Sequence, residues 1–276
     1  MLGAALCALA VLPAPAQQAG PIEVDVKLVI ATDISNSIND RELSLERQGI
    51  ADVFMDPEVI KVITNGNRGA IAVAMLDWAG YKENQTVLNW FIIRDKATSE
   101  AFAKEVLDLK RFLGQRTSIS NALDRAFAML NESDSRIIAT RKVVDVSGDG
   151  PNNDGVSLQQ VHDATKDNGI IVNGLPIMDE EADGFFPELD LYYNACVVAG
   201  RTGFLVVVKS FKDFGQAMRR KIVIEISQNE SQIPQFAKTP NPLFRTIAAA
   251  SSERRLLPRE FPGGCDKFGG WKTNVN

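Results

Sequence analysis

The sequence predicts a doubly wound α/β fold in which helices flank a mostly parallel, six-stranded sheet. Short apolar runs alternate along the chain with longer amphipathic stretches, which is the pattern of strands buried on both faces and the helices that connect them. The composition is that of a globular protein, with 45% hydrophobic and 24% charged residues. No internal repeat or low-complexity tract interrupts the alternation.

Three strands are predicted in the first half of the chain, each an apolar run that ends at polar or turn-forming residues: 26–32, 70–76 and 85–93. A short turn containing Gly, Lys and Asn separates the second run from the third, so these two strands are expected to form a hairpin. After the first strand, Asn39 and Glu42 have the spacing of a capping box and start a helix. Two more helices are predicted at 99–113 and 118–130, because apolar residues recur there at helical spacing.

Three further strands are predicted in the second half, at 142–147, 170–177 and 203–208. The helix predicted over 156–168 ends at Gly169, a residue typical of helix C-termini. A last helix is predicted over 211–227. We therefore expect one domain over residues 24–228, followed by a C-terminal tail over 229–276.

The charge balance and the scarcity of two residue types exclude several classes of function. The chain has 30 Lys+Arg against 35 Asp+Glu, a net charge of -5, which argues against nucleic acid as a partner because phosphate binding requires a basic surface. One His and three Cys leave almost no residues for a zinc site or for a nucleophile that depends on His. No apolar run after the first 20 residues is long enough to span a membrane, so no integral membrane segment is expected in the mature chain.

Residues 1–16 are expected to be a signal peptide, since an apolar stretch is followed by Ala14-Pro15-Ala16, the A-x-A form of a cleavage site. A buried N-terminal helix is the alternative, but prolines would interrupt it. The protein is therefore expected to be periplasmic or secreted. Cleavage would leave Cys196 and Cys265, which suggests a disulfide in an oxidising compartment that would attach the tail to the domain. Two unpaired buried thiols are the alternative.

Three polar clusters lie beside the ends of predicted elements. Asp33, Ser35 and Ser37 follow the first strand, Thr117 precedes a helix, and Asp149 follows the strand at 142–147. If the first and fourth strands are neighbours, the two aspartates meet beyond the carboxyl ends of the strands, where doubly wound folds bind ligands. Each residue alone has an ordinary alternative role in a turn or helix cap. Together they form an oxygen-only set, which predicts a hard divalent ion: Mg²⁺, or else Mn²⁺ or Ca²⁺.

The order Asp33-x-Ser35-x-Ser37, Thr117, Asp149 resembles the metal-ion-dependent adhesion site (MIDAS) of von Willebrand factor A (vWA) domains. This resemblance implies a Rossmann-like vWA fold. It also implies that Ser35 and Ser37 bind the metal directly and that Thr117 binds it directly or through water. The two aspartates would act mainly through water or by accepting hydrogen bonds from the hydroxyl ligands. A partner's Asp or Glu would then complete the coordination shell.

Three segments resemble a bacterial family of exported, vWA-like proteins of unknown function: VDVSGDGPNN at 144–153, the stretch around Trp78, and YYNAC at 192–196. In such a protein, Asp77, Trp78, Asn152 and Asn153 are possible ligand contacts at the rim of the metal site. A packing role for Trp78 and a solvated turn for the asparagines are the alternatives.

The sequence favours a binding module over an enzyme, because no general base accompanies the oxygen-only site. The expected function is capture of a protein or peptide through the metal ion. One alternative is a metal-dependent hydrolase of phosphate esters, with Asp145 or Asp154 as its acid/base group. Another is a structural module whose metal site is vestigial. Asp145 interrupts an apolar strand and needs a partner, for which Lys142 or Arg141 is expected.

Overall fold

The structure is a computed structural model that describes residues 20–83, 87–112, 114–132, 136–181, 185–227, 233–239, 241, 244–248 and 260–266. The predicted signal peptide, 1–16, lies outside the described residues, as does much of the predicted tail, 229–276.

The described strands form one sheet in the order β3-β2-β1-β4-β5-β6-β7. Their bounds are β1 Ile22–Asp33, β2 Ile71–Trp78, β3 Val87–Ile93, β4 Ile137–Gly148, β5 Ile170–Pro176, β6 Phe204–Val208 and β7 Phe244–Ala248. Only β3 and β7, at the two edges, run antiparallel to their neighbours in this sheet. The predicted doubly wound, mostly parallel α/β fold is confirmed, and all six predicted strands are present. An additional strand, β7, comes from the segment predicted as tail.

Helices cover both faces of the sheet. Their bounds are α1 Asp40–Met55, α2 Pro57–Thr64, α3 Lys96–Asp108, α4 Ile119–Glu132, α5 Leu158–Asn168, α6 Leu189–Tyr192, α7 Phe214–Ile226 and α8 Gln235–Lys238. The apolar residues of α1, α2, α3 and α7 form one core with one face of the sheet, and those of α4, α5 and α6 form a second core with the other face. Two cores explain why the parallel strands are apolar on both sides.

Local signals place some helix ends and miss others. The predicted capping box of α1 is present, since the Asn39 side chain accepts hydrogen bonds from the first turn and Glu42 accepts the Asn39 N–H. The helix predicted over 99–113 instead covers Lys96–Asp108, because Asp95 caps it and Leu109 has extended backbone. The last predicted helix is divided into a 3-10 turn, Phe211–Asp213, followed by α7.

The arrangement of β1 and β4 satisfies the condition for bringing the two aspartates together. The two strands are parallel neighbours, and their last paired residues are Thr32 and Ser147. Asp33 and Asp149 therefore follow this pair at the carboxyl ends of adjacent strands. In open parallel sheets this edge is where ligands bind.

The expected partners of Asp145 are wrong. Lys221 of α7 donates hydrogen bonds to both Asp145 and Glu225, and all three side chains are buried. Lys142 lies three residues from Asp145 and so faces the other side of the strand, and Arg141 donates to a backbone carbonyl of α7. The partner therefore comes from a helix that packs on the sheet, 76 residues further along the chain.

Candidate metal site

The loop between β1 and α1 presents two hydroxyls beside a carboxylate. The backbone N–H of Ser35 donates to Asp33 Oδ1 at 2.7 Å, and the Oγ atoms of Ser35 and Ser37 are 3.1 Å apart. Ile34 and Ile38 on the same loop are fully buried in the core. These two apolar anchors hold the backbone and leave the serine hydroxyls at the edge of the sheet.

Asp149, which follows β4, joins this group. Ser37 Oγ donates to Asp149 Oδ1 at 2.8 Å across 112 residues of sequence. The structure therefore connects Asp33, Ser35, Ser37 and Asp149 in one chain of polar contacts. Four of the five predicted metal ligands are in contact through these bonds.

Thr117, the fifth predicted ligand, lies against the loop that carries Asp149. Its N–H donates to Asn153 Oδ1 at 2.9 Å, and its carbonyl accepts the Asn153 N–H at 2.8 Å. Its Oγ1 is 3.8 Å from the position that a Cβ at Gly150 would occupy. Thr117 is buried and lies two residues before α4, so this two-way pairing holds it beside the 149–153 loop.

The outer carboxylate oxygens fit a cation. Asp33 Oδ2 and Asp149 Oδ2 are buried, and neither has a hydrogen-bond partner among the described residues. Burial raises the pKa of Asp33 well above its ordinary value, and the neighbouring Asp149 carboxylate raises it further. Burial also raises the pKa of Asp149, to about 6, against the opposing effect of the Ser37 hydrogen bond. Two buried acceptors that repel each other, beside three hydroxyls, match the oxygen ligands that Mg²⁺ and Ca²⁺ prefer.

Glu46 and Tyr193 were not predicted but belong to the same region. Both Glu46 carboxylate oxygens are buried without a hydrogen-bond partner in the described part of the chain, and burial raises the pKa of this group well above its ordinary value. The signal in the sequence is that Glu46 occupies the apolar face of α1, between Leu43 and Ile50. Tyr193 carried no such signal, because its position depends on the fold.

Gly148 makes room for Tyr193 next to Asp33. A Cβ at Gly148 would lie 2.9 Å from the Tyr193 hydroxyl oxygen and 3.0 Å from Asp33 Oδ2. The phenol and the carboxylate thus face the same small space, which any larger residue at this position would fill.

The residues expected at the rim do not form an exposed rim. Asp77 is buried in an ion pair with Arg47. Trp78 is fully buried in the core, because β2 lies between two helical layers. It therefore has the packing role that was the alternative to a ligand contact. Asn152 is also buried, and its Oδ1 accepts the Ser120 N–H at 3.0 Å. Asn153, which holds Thr117, is half-buried. Neither asparagine lies in a solvated turn.

The structure contains the disulfide between Cys196 and Cys265, which are 69 residues apart. Asp266, the next residue, caps α5: its carboxylate accepts hydrogen bonds from the Ser157 hydroxyl at 2.6 Å and the Leu158 N–H at 2.9 Å. The disulfide therefore fixes a short C-terminal segment beside the helix that follows the 149–157 loop.

A family model described as "Protein of unknown function (DUF1194)" matches residues 23–230. The chain belongs to this family. The matched range contains all five predicted metal ligands. Among curated proteins no sequence matches this member of the DUF1194 family.

Solved structures with a similar fold include a von Willebrand factor type A protein. One is proximal thread matrix protein 1 (PTMP1) from the mussel byssus, with 16% identity and a TM-score of 0.51 over 74% of this chain and 46% of that chain. The pilus adhesin SpaC from Lactobacillus rhamnosus GG has 14% identity and a TM-score of 0.51, over 80% of this chain and 31% of SpaC. A von Willebrand factor type A protein from Catenulispora acidiphila has 16% identity and a TM-score of 0.50, over 72% of this chain and 42% of that chain.

These matches span less than half of each solved chain, and at such identities they establish the vWA-type fold. A further PTMP1 structure, with 17% identity and a TM-score of 0.50 over 74% of this chain and 46% of that chain, has a zinc-occupied MIDAS motif. Within the described ranges of the present chain, no helix has the length and apolar character needed to cross a bilayer.

Proposed function

We propose that this protein is an exported binding module that holds a divalent cation and uses it to capture an acidic side chain of a protein or peptide. The ligands would be Asp33, Ser35, Ser37, Thr117 and Asp149. The observation that carries the proposal is the polar chain from Asp33 to Asp149 at the carboxyl ends of β1 and β4, with one buried, unpaired oxygen on each aspartate in the described structure.

The hydrogen bonds support the ligand roles that the vWA resemblance implies. Ser37 donates its proton to Asp149 Oδ1 and so accepts that of Ser35, which leaves one lone pair of its hydroxyl oxygen for a cation. Asp33 accepts the Ser35 N–H through Oδ1 and keeps Oδ2. When bound, the ion would supply a Lewis acid that attracts the carboxylate of a partner. The zinc-occupied MIDAS of PTMP1 is a reason to include Zn²⁺ among the ions tested.

The contacts of two carboxylates, Asp145 and Asp154, favour a binding function over phosphoester hydrolysis. Asp145, one candidate acid/base group, is buried against Lys221, four residues and so about 13 Å along β4 from Asp149. Asp154, the other, accepts the Tyr81 N–H at 2.8 Å. Both groups expected from the sequence to act as acid or base are therefore engaged in other contacts.

The proposal is tested by calorimetric titration of Mg²⁺, Mn²⁺, Ca²⁺ and Zn²⁺ into the chain without residues 1–16. We expect saturable binding that is lost in Ser35→Ala/Ser37→Ala and kept in Ser99→Ala/Ser227→Ala. The control removes two buried serine hydroxyls, which bond to carbonyls of α1 and α7 away from the site. Absence of binding by the folded wild type, or equal binding by both variants, would refute the metal site.

Partner capture requires a second measurement. The protein is immobilised and exposed to exported proteins with Mg²⁺ or with a chelator, beside the Ser35→Ala/Ser37→Ala variant. We expect a partner that is retained only by the wild type with the ion, and whose retention is lost when its contacting Asp or Glu is replaced. Retention that is equal with chelator would show that the surface, and not the ion, makes the contact.

A further inference from the structure

Tyr192 connects the disulfide to the loop of the proposed metal site. Its side chain is fully buried, and its hydroxyl donates to the carbonyl of Cys265 at 3.1 Å. The same hydroxyl oxygen accepts the backbone N–H of Asn152 at 3.2 Å. One phenol thus joins the C-terminal segment, which is held by Cys196–Cys265, to the loop three residues after Asp149.

The loop continues this connection to Thr117. Asn152 Oδ1 accepts the Ser120 N–H in the first turn of α4, and Asn153 pairs with Thr117 in both directions. The bond to Ser120 satisfies an N–H group in the first turn of α4 that has no partner within the helix. Asn152 and Asn153 therefore hold the start of α4 and Thr117 against the loop that carries Asp149. The Ala79 carbonyl, which accepts the Ser118 N–H, holds the same helix start from the end of β2.

The Tyr192 side chain and the C-terminal segment that it contacts are held by further interactions. The Tyr192 ring packs edge-to-face on Phe261, with ring centroids 5.4 Å apart, and on Tyr193, at 6.4 Å. Asp266 bonds to the first turn of α5 beside the same loop. The YYNAC segment and the Cys265–Asp266 segment thus pack against the 149–157 loop and bond to it.

We infer that Tyr192 is a positioning residue for the metal site: its hydroxyl holds the Asn152 backbone, and the Cys196–Cys265 disulfide holds the carbonyl to which that hydroxyl donates. The effect on metal affinity rests on the proposed function, whereas the effect on the loop does not. Residues behind metal ligands contribute about tenfold to a hundredfold in affinity, and we expect the lower end here because Tyr192 acts through the loop backbone.

The test uses Tyr192→Phe, which removes the hydroxyl and keeps the ring. Thr165→Val is the matched control, since it removes a buried hydroxyl that bonds to a carbonyl within α5 and contacts no loop residue in the bonds described above. Amide hydrogen exchange is measured by NMR on the metal-free proteins at the N–H groups of Asn152, Ser120 and Thr117. Divalent-ion affinity is measured by calorimetry.

We expect faster exchange at all three amides in Tyr192→Phe, an unchanged rate at the Ile34 N–H, which bonds to the Trp78 carbonyl, and about tenfold weaker ion binding. Thr165→Val should change neither. Unchanged exchange in a folded Tyr192→Phe protein would overturn the inference, and so would faster exchange with unchanged affinity. If the wild type binds no ion, the proposed function fails, and the exchange rates alone decide whether Tyr192 holds the loop.

A mutant cycle tests the role of the disulfide. Cys196→Ala/Cys265→Ala is compared with Tyr192→Phe and with the combined variant. If the disulfide acts through the Tyr192 hydroxyl, the combined variant should bind the ion about as weakly as whichever of the two separate variants binds it less tightly. If the effects are independent, the losses of affinity would multiply in the combined variant, and this result would overturn the role inferred for the disulfide. If the cysteine variant does not fold, the exchange rates of Tyr192→Phe still decide whether the Tyr192 hydroxyl holds the loop.

Discussion

Lys221→Met should strongly destabilise the protein, because Lys221 is the cation that both Asp145 and Glu225 contact. The side chains of Lys221 and Glu225 are 0% exposed and that of Asp145 is 2% exposed. Asn173 Nδ2 also donates to Glu225 Oε1, at 2.7 Å, but carries no charge. Removing one partner of a buried ion pair costs about 3–5 kcal/mol, because an uncompensated charge remains. We expect a loss in this range at pH 8.

The free energy of unfolding that Lys221→Met loses should become smaller as the pH falls. Burial raises the pKa of Asp145, and burial together with the Asp145 charge raises that of Glu225 to about 7. The folded state therefore keeps protons that the unfolded state releases at its lower pKa, so stability falls as the pH rises through this interval. Without Lys221 both folded pKa values rise further. At pH 5 Glu225 is then mostly neutral in the folded variant, and the loss of stability relative to the wild type should be smaller than at pH 8.

The assay is urea unfolding of wild type and variant at pH 5 and pH 8, with Lys209→Met as the control. Lys209 is exposed, so its replacement should change the free energy of unfolding by less than about 0.5 kcal/mol. A loss below about 1 kcal/mol at pH 8, or a loss that does not depend on pH, would refute the reasoning that Lys221 compensates two buried carboxylates.

Three further changes have defined outcomes. Cys196→Ala/Cys265→Ala should lower the free energy of unfolding by about 4 kcal/mol in urea, since the bridge joins residues 69 apart; an unchanged midpoint would contradict this. Gly148→Ala should weaken ion binding in calorimetry, because its Cβ would press on Asp33 Oδ2 from 3.0 Å, and unaltered affinity would show that the space is not needed. Asn39→Ala should cost about 1 kcal/mol in thermal or urea unfolding by removing the capping box of α1, and no loss would mean that the cap is replaced by water.

Several features of this protein follow from the sequence because their causes are local. The six predicted strands are apolar runs, and a run buried on both faces is visible without knowledge of its neighbours. The capping box of Asn39 and Glu42 involves residues three apart, whose contact depends only on the start of one helix. Asp33, Ser35 and Ser37 lie within five residues, so their proximity is fixed by one loop. The Cys196–Cys265 pairing is not local, and counting the cysteines expected in the mature chain only suggested it.

Only the tertiary structure decided the contacts between distant parts of the chain. β1 and β4 had to be neighbours before Ser37 and Asp149 could meet. The counter-ion of Asp145 comes from α7. Helical spacing places Lys221 on the apolar face of α7 with Ala217 and Met218, but only the fold shows which carboxylates it contacts. Trp78 is buried because helices pack on both sides of β2, and Tyr192 reaches Asn152 across 40 residues. The spacing of apolar residues along the sequence predicts whether a residue is buried. Which buried residues contact each other depends on strand order and helix packing, and short-range sequence patterns do not specify these.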